Sequence, residues 1–230
     1  MRIACIALAV LPFLAQLCAF GQSPTAKASA PIDITGYWVA FVTEDWRFRM
    51  ITPRKGDYQP VPMTPEARKV ADAWDPAADE AAGNQCKAYG AAALMRLAAR
   101  FHITWQDDNT LKVESDWGMQ TRLLHFTSSP PGERTWQGYS SAQWEKPSSL
   151  KVTTGNLRAG YLRKNGVPYS ENAAVTEYFD IGPIPGGGQV LLVTAIVDDP
   201  QNLRQPFTTS SQFKKEADGS KWDPQPCTAR

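Results

Sequence analysis

The feature that most constrains this chain is a pair of alternating segments between Glu171 and Pro200. The first runs from about Ala173 to Asp180 and the second from Gln189 to Asp198, joined by Ile181-Gly-Pro-Ile-Pro-Gly-Gly-Gly188. Successive side chains of a strand point to opposite faces, so Val175, Glu177 and Phe179 share one face. A carboxylate between two apolar neighbours is the main chemical oddity of the chain. The second segment is the most apolar run outside the N-terminus. Two such segments joined by a loop predict neighbouring antiparallel strands with a buried face.

The pattern recurs along the chain. Gly36 to Val42 is apolar on both faces, as in a strand covered on both sides. Trp46, Phe48 and Met50 alternate with Arg47 and Arg49, which predicts a second strand. Thr52 to Pro62 is rich in proline and glycine and reads as a surface loop. Thr64 and Pro65 then form an N-cap and first helical position, and the Ala-rich stretch to Ala99 adds short helices. Phe101, Ile103 and Trp105, the turn Asp107-Asp108-Asn109, and Leu111 and Val113 predict a hairpin. Further strands are expected at 120–126, 135–146, 150–154 and 207–215. Segment 156–171 reads as an ordered excursion over the protein. The sum is about ten strands joined mostly by turns, with a helical insertion after the second. We therefore expect a mainly β protein: an antiparallel β-barrel around an internal, largely apolar pocket.

The N-terminus is read separately. Met1-Arg2, an apolar run from Ile3 to Phe20, and Ala19-Phe20-Gly21 predict a signal peptide over residues 1–21. Residues 22–32 read as a flexible leader and 33–230 as a single barrel domain. The expected location is outside the cytoplasm, periplasmic or secreted, with no membrane span after cleavage. Cys86 and Cys227 then remain, and an exported chain with two cysteines suggests one disulfide. The loop-entropy account gives such a bridge on the order of 4–5 kcal/mol. A reactive thiol pair is the alternative, without a CxxC spacing to support it.

Lysine and arginine total 24 against 23 aspartate and glutamate, and no basic block interrupts the chain. Nucleic acid and anionic membrane are poor partners for such a sequence. His102 and His125 lack metal-ligand spacing, and His102 falls on a polar face expected to meet solvent. The aspartate pairs lack the run of oxygen ligands that calcium needs. No GxSxG elbow or phosphate loop is present, and no cofactor is expected. The remaining candidates for chemistry are Glu177, His125 and Arg122. If Arg122 points inward it needs a carboxylate, from Glu177, Asp199 or Glu145. One outcome is a structural ion pair. The other is a lyase or isomerase transferring a proton through Glu177, with His125 or Tyr178 assisting. Trp38, Trp105, Trp144, Tyr139 and Phe179 are the candidate walls for a small apolar or amphipathic ligand. A third reading is a structural or partner-binding envelope protein that uses the loops at 52–62 and 181–188.

Two resemblances bear on this. Gly36-Tyr-Trp38 resembles the Gly-x-Trp start of lipocalins, which implies a lipocalin-like barrel, although the helical insertion departs from that plan. The chain from Gly36 onward is similar to a family of exported bacterial proteins of unassigned function. That similarity is carried by Gly138-Tyr-Ser-x-x-x-Trp144-Glu145, Leu150-x-Val152-x-Thr154, Asn165-Gly-x-Pro-x-Ser170, Glu177, Asp199-Pro200 and Gln205-Pro206-Phe207. The family pattern often places His before the Ser of the Gly-x-Ser and Pro-x-Ser pieces, where this chain has Tyr139 and Tyr169. The resemblance implies export and a barrel, and no reaction.

Overall fold

A computed structural model describes residues 23–145 and 147–230. The signal peptide expected over 1–21 lies outside the described residues. Eleven strands run in the order β1 Gly36–Ala40, β2 Arg100–Asp107, β3 Thr110–Ser115, β4 Thr121–His125, β5 Tyr139–Glu145, β6 Ser149–Gly155, β7 Gly160–Tyr161, β8 Pro168–Tyr169, β9 Ala174–Pro183, β10 Gln189–Asp198 and β11 Phe207–Lys215. Nine close a barrel in the order β1-β11-β10-β9-β6-β5-β4-β3-β2, with β2 returning to β1. The short strands β7 and β8 pair outside it, within the expected excursion.

The alternating pair forms the longest ladder. β9 and β10 pair from Gln189 opposite Pro183 to Asp198 opposite Ala174. β2 and β3 form the expected hairpin, with Ile103 opposite Val113 and a register shift between Trp105 and Asp107 near its turn. One pairing corrects the antiparallel expectation. β4 and β5 run parallel, with Leu124 opposite Ser140. Parallel neighbours need a crossover rather than a tight turn. Residues 126–138, with Pro130-Pro131-Gly132 at their centre, provide it.

The expected second strand is instead a short helix, α1 Trp46–Arg49, so the helical insertion follows the first strand. Asp45 sits at φ 50°, and its carbonyl accepts from the amides of Phe48 and Arg49. The Arg49 side chain is pinned by the Arg96 carbonyl, at 3.0 Å from Nε. These tertiary contacts override an alternation only five residues long. α2 Pro65–Asp72 begins as expected, with the Thr64 hydroxyl accepting from the Ala67 amide at 3.1 Å. α3 Pro76–Ala81 is capped by Asp75. A 3₁₀ turn, Lys87–Tyr89, leads into α4 Ala91–Leu94.

Two apolar cores result. Leu94, Met95 and Leu97 share one with the barrel lining. In that core Trp38, Phe101, Phe179 and Phe213 are each 0% exposed, so none borders a water-sized void. Burying such a side chain contributes about 1.5–3 kcal/mol. The second core joins α2 and the β7–β8 region to the ends of β9, β10 and β11, through residues such as Ala67, Leu162, Val175 and Phe207. Cys86 and Cys227 are bonded, with Cα atoms 5.1 Å apart, and the C-terminal tail is thereby fixed to the helical insertion.

The expected flexible leader is held in place. The Ala26 amide donates to Asn109 Oδ1 at 2.9 Å, the Lys27 amide to the Asp108 carbonyl at 3.0 Å, and Trp144 Nε1 to the Ala26 carbonyl at 2.8 Å.

Candidate functional site

The strand face predicted to carry Glu177 does point inward. Arg122 on β4, Ser140 on β5, Thr154 on β6 and Glu177 on β9 form a buried row across four neighbouring strands. Arg122 Nη2 donates to Glu177 Oε2 at 2.5 Å and to Thr154 Oγ1 at 2.6 Å, and Nε donates to Ser140 Oγ at 3.0 Å. The two hydroxyls lie 2.8 Å apart. The carboxylate and guanidinium are therefore paired, and the hydroxyls take up further donors, as a buried charge pair requires. Within this row, the buried Glu177 Oε1 has no hydrogen-bond partner among the described residues.

The assisting groups lie elsewhere. His125 alternates with Leu124 and so faces outward from β4, where its ring stacks on Tyr139 at 5.0 Å. Tyr178 faces outward from β9, with Lys151 near its ring. Asp199 accepts from the Ser170 amide and hydroxyl and from Asn202, and Glu145 pairs with Lys151, so neither serves Arg122. His102 is half-buried, stacked on Tyr37 at 4.0 Å. Among the described residues no group of three His, Cys, Asp or Glu side chains could hold a metal ion.

The candidate ligand walls separate by position. Trp38 and Phe179 belong to the filled core, and Trp38 Nε1 donates to the Ile34 carbonyl at 2.9 Å. Tyr139 is on the outer face, with its hydroxyl 3.0 Å from the Ser129 amide. Trp105 and Trp144 come together with Phe126, with ring centres 5.1–6.4 Å apart, where the leader passes. Ser140, Asn165, Ser170, Glu177 and Asp199 are all buried and hydrogen-bonded.

The most chemically distinctive opening is a cleft of about 120 Å3 outside the barrel. Phe48, Met50, Ile51, Leu97, Trp117 and Leu162 give it apolar walls, while Arg49, Arg96, Arg163 and Lys164 supply charge, and no carboxylate lines it. The α1 turn brings Arg49, the segment after α4 brings Arg96, and the turn between β7 and β8 brings Arg163 and Lys164. That turn is tight. Gly166 has φ 85°, and a Cβ there would lie 2.3 Å from Trp74 Cβ. Arg163 is held by Nη1 donating to the Gln59 carbonyl at 2.5 Å and by its guanidinium lying 4.2 Å over the Phe48 ring. Arg49 pairs with Glu44, and Arg96 Nη2 with Asp45 at 3.1 Å. Burial, then the nearby Arg96, pulls the Arg163 pKa down to about 10, with Asp45 and Asp57 opposing. Burial, with Arg96 beside it, lowers Arg49 as well, against the pull of Glu44 and Asp45.

Sequence reasoning missed this cleft because its cations lie far apart along the chain. The alternation around Arg49 predicts a strand, and Arg163 to Gly166 fall within the expected excursion over the protein, so neither segment points to the other. No protein-family model, curated protein or solved structure matches the chain.

Proposed function

We propose that this is an exported binding protein for a small amphipathic molecule, with the barrel as scaffold and the arginine-lined cleft as the site. The observation that carries the proposal is the cleft's composition: apolar walls facing a cationic floor with no carboxylate in the lining. Met50 and Ile51 at its rim are 55% and 64% exposed, and Trp117 stands beside them. Exposed apolar side chains gathered around buried polar donors suit a ligand with one apolar and one polar end. A wider groove of about 650 Å3, sharing Thr52 and Pro53 with the cleft, leaves room for a longer tail. Export is supported by the apolar N-terminal run and by the disulfide. We read Glu177 as half of a structural ion pair, because it is sealed from solvent and its predicted assistants face outward.

The test is titration of the full chain with octyl-chain amphiphiles bearing neutral, cationic and anionic heads, followed by native mass spectrometry. Ile51→Asp and Met50→Asp are surface changes that should leave the fold intact. Each should weaken a one-to-one complex about tenfold, the effect of losing one apolar contact of this size. Unchanged affinity in both variants would place the ligand elsewhere.

A further inference from the structure

We infer that the cleft is an oxyanion site, in which a phosphate or sulfate group seats against the open edge of Arg163 and the unpartnered guanidinium Nη2 of Arg49. This deepens the binding reading above and rests on the cleft being the ligand's site. The argument begins with unspent donors. Among the described residues Arg163 Nε, Arg163 Nη2 and Arg49 Nη2 are buried and have no hydrogen-bond partner. Both arginines are more than nine-tenths buried. A buried donor left unmade costs the full desolvation of that group, and more when it is charged. Three such nitrogens around one cleft are therefore better explained as contacts for a ligand than as packing.

The geometry selects the chemistry. Nε and Nη2 form one edge of a guanidinium, and that edge offers two parallel N–H groups. In Arg163 this is the edge left open, because Nη1 alone is used, by Gln59. The Phe48 ring lies against the guanidinium, 4.2 Å from its central carbon. In Arg49, Nε and Nη1 are held by the Arg96 carbonyl and Glu44, which leaves Nη2 free. The chain's own carboxylates are engaged elsewhere: Glu44 on Arg49 Nη1, Asp45 on Arg96 and Asp57 on Arg47. Lys164 lines the same cleft, with its Nζ donating to Thr228 Oγ1 at 3.0 Å and to the Arg230 carbonyl. A tetrahedral oxyanion has enough acceptor oxygens to meet both guanidinium groups at once. The lowered Arg163 pKa is in keeping with this, since burial beside Arg96 disfavours its charge and a bound anion would restore it.

The same chemistry could come from a free ion or from the head of an amphiphile, so the test uses both. Inorganic phosphate, inorganic sulfate, octyl phosphate and octyl glucoside are titrated calorimetrically into the full chain at low ionic strength, and into Arg163→Met and Arg163→Lys. Saturable one-to-one binding of phosphate or octyl phosphate is expected. Arg163→Met should weaken it at least tenfold, and Arg163→Lys should recover only part, because lysine keeps the charge and loses the fork. Tighter binding of octyl phosphate than of phosphate identifies a lipid-like head. Equal binding of the two identifies a free ion and removes the amphipathic reading while keeping the oxyanion site. Binding of octyl glucoside with no response to either phosphate overturns the oxyanion inference and leaves the cleft as an apolar site. No binding of any of the four overturns both. Should the variants fail to fold, nitrogen-15 spectra of the wild-type arginine side chains decide the matter. Phosphate must shift the Arg163 Nε–H resonance, and an unmoved resonance overturns the site.

Discussion

At the scale of single residues, the Arg122–Glu177 pair is held by opposite needs. Each partner is buried and charged, and each is tolerable there only because the other is present. Ser140 and Thr154 add hydroxyl acceptors that no apolar replacement would supply. Glu177→Leu should cost about 3–5 kcal/mol, since it strands a guanidinium inside the barrel. Arg122→Met should cost a similar amount by stranding the carboxylate. The double variant should be less destabilised than either single one, because it removes both charges. Urea unfolding of the four proteins measures the cycle, and additive losses would mean that the two residues do not depend on each other. The amphiphile affinity of whichever variants remain folded should match the wild type, which separates this pair from the cleft.

At the scale of elements, the insertion between β1 and β2 does more than connect strands. It supplies the apolar segment that joins the barrel core, one half of the disulfide, and two of the cleft's arginines. The leader plays a smaller part at the Trp105–Phe126–Trp144 cluster. Its docking depends on a few backbone hydrogen bonds and on the Trp144 indole. Trp144→Phe removes the N–H together with part of the ring surface packed on Trp105 and Phe126. We expect a loss of at least about 1 kcal/mol, the typical net value of one hydrogen bond. Amide exchange at Ala26 and Lys27 should accelerate with little change in β9 and β10. Unchanged exchange in the leader would show that the indole contact does not hold it.

At the scale of the whole molecule, the chain is closed twice. The β1–β2 and β1–β11 pairings close the barrel, whose shortest seam is the parallel contact of Leu124 with Ser140 and His125 with Ser141. The Cys86–Cys227 bond, spanning 141 residues, closes the tail onto the insertion. In the loop-entropy account the Cys86→Ser/Cys227→Ser protein should unfold with a free energy lower by about 4–5 kcal/mol. Urea titration with and without reductant tests this, since reduction of the wild type should give the same loss. A much smaller loss would mean that the reduced chain keeps the tail near its native place. Loosening the tail should also weaken the cleft, because Lys164 is tied to Thr228 and Arg230.

The local parts of this fold were legible because they depend on near neighbours. Period-2 alternation located β9, β10 and the β2–β3 hairpin, and Thr64-Pro65 located the start of α2. It also placed Glu177 on an apolar face of its strand, but which of Arg122 and His125 turns inward was decided only by the closed barrel, which buries the Arg122 face of β4. Alternation over Trp46–Met50 misled, because five residues satisfy either period and the tertiary contacts of Arg49 decided between them. The parallel β4–β5 pair was not legible, since strand direction depends on where a crossover lands. Nor was the filling of the barrel, which is settled by the combined volume of side chains from nine strands and the insertion. The cleft is the clearest case. By itself the sequence determined a β-rich chain, two cysteines beyond its apolar N-terminal run, and a carboxylate, Glu177, set on an apolar strand face. Only the tertiary structure brought Arg49, Arg96 and Arg163 around one opening, because electrostatics acts through space and nothing in the linear order records which distant cations will meet.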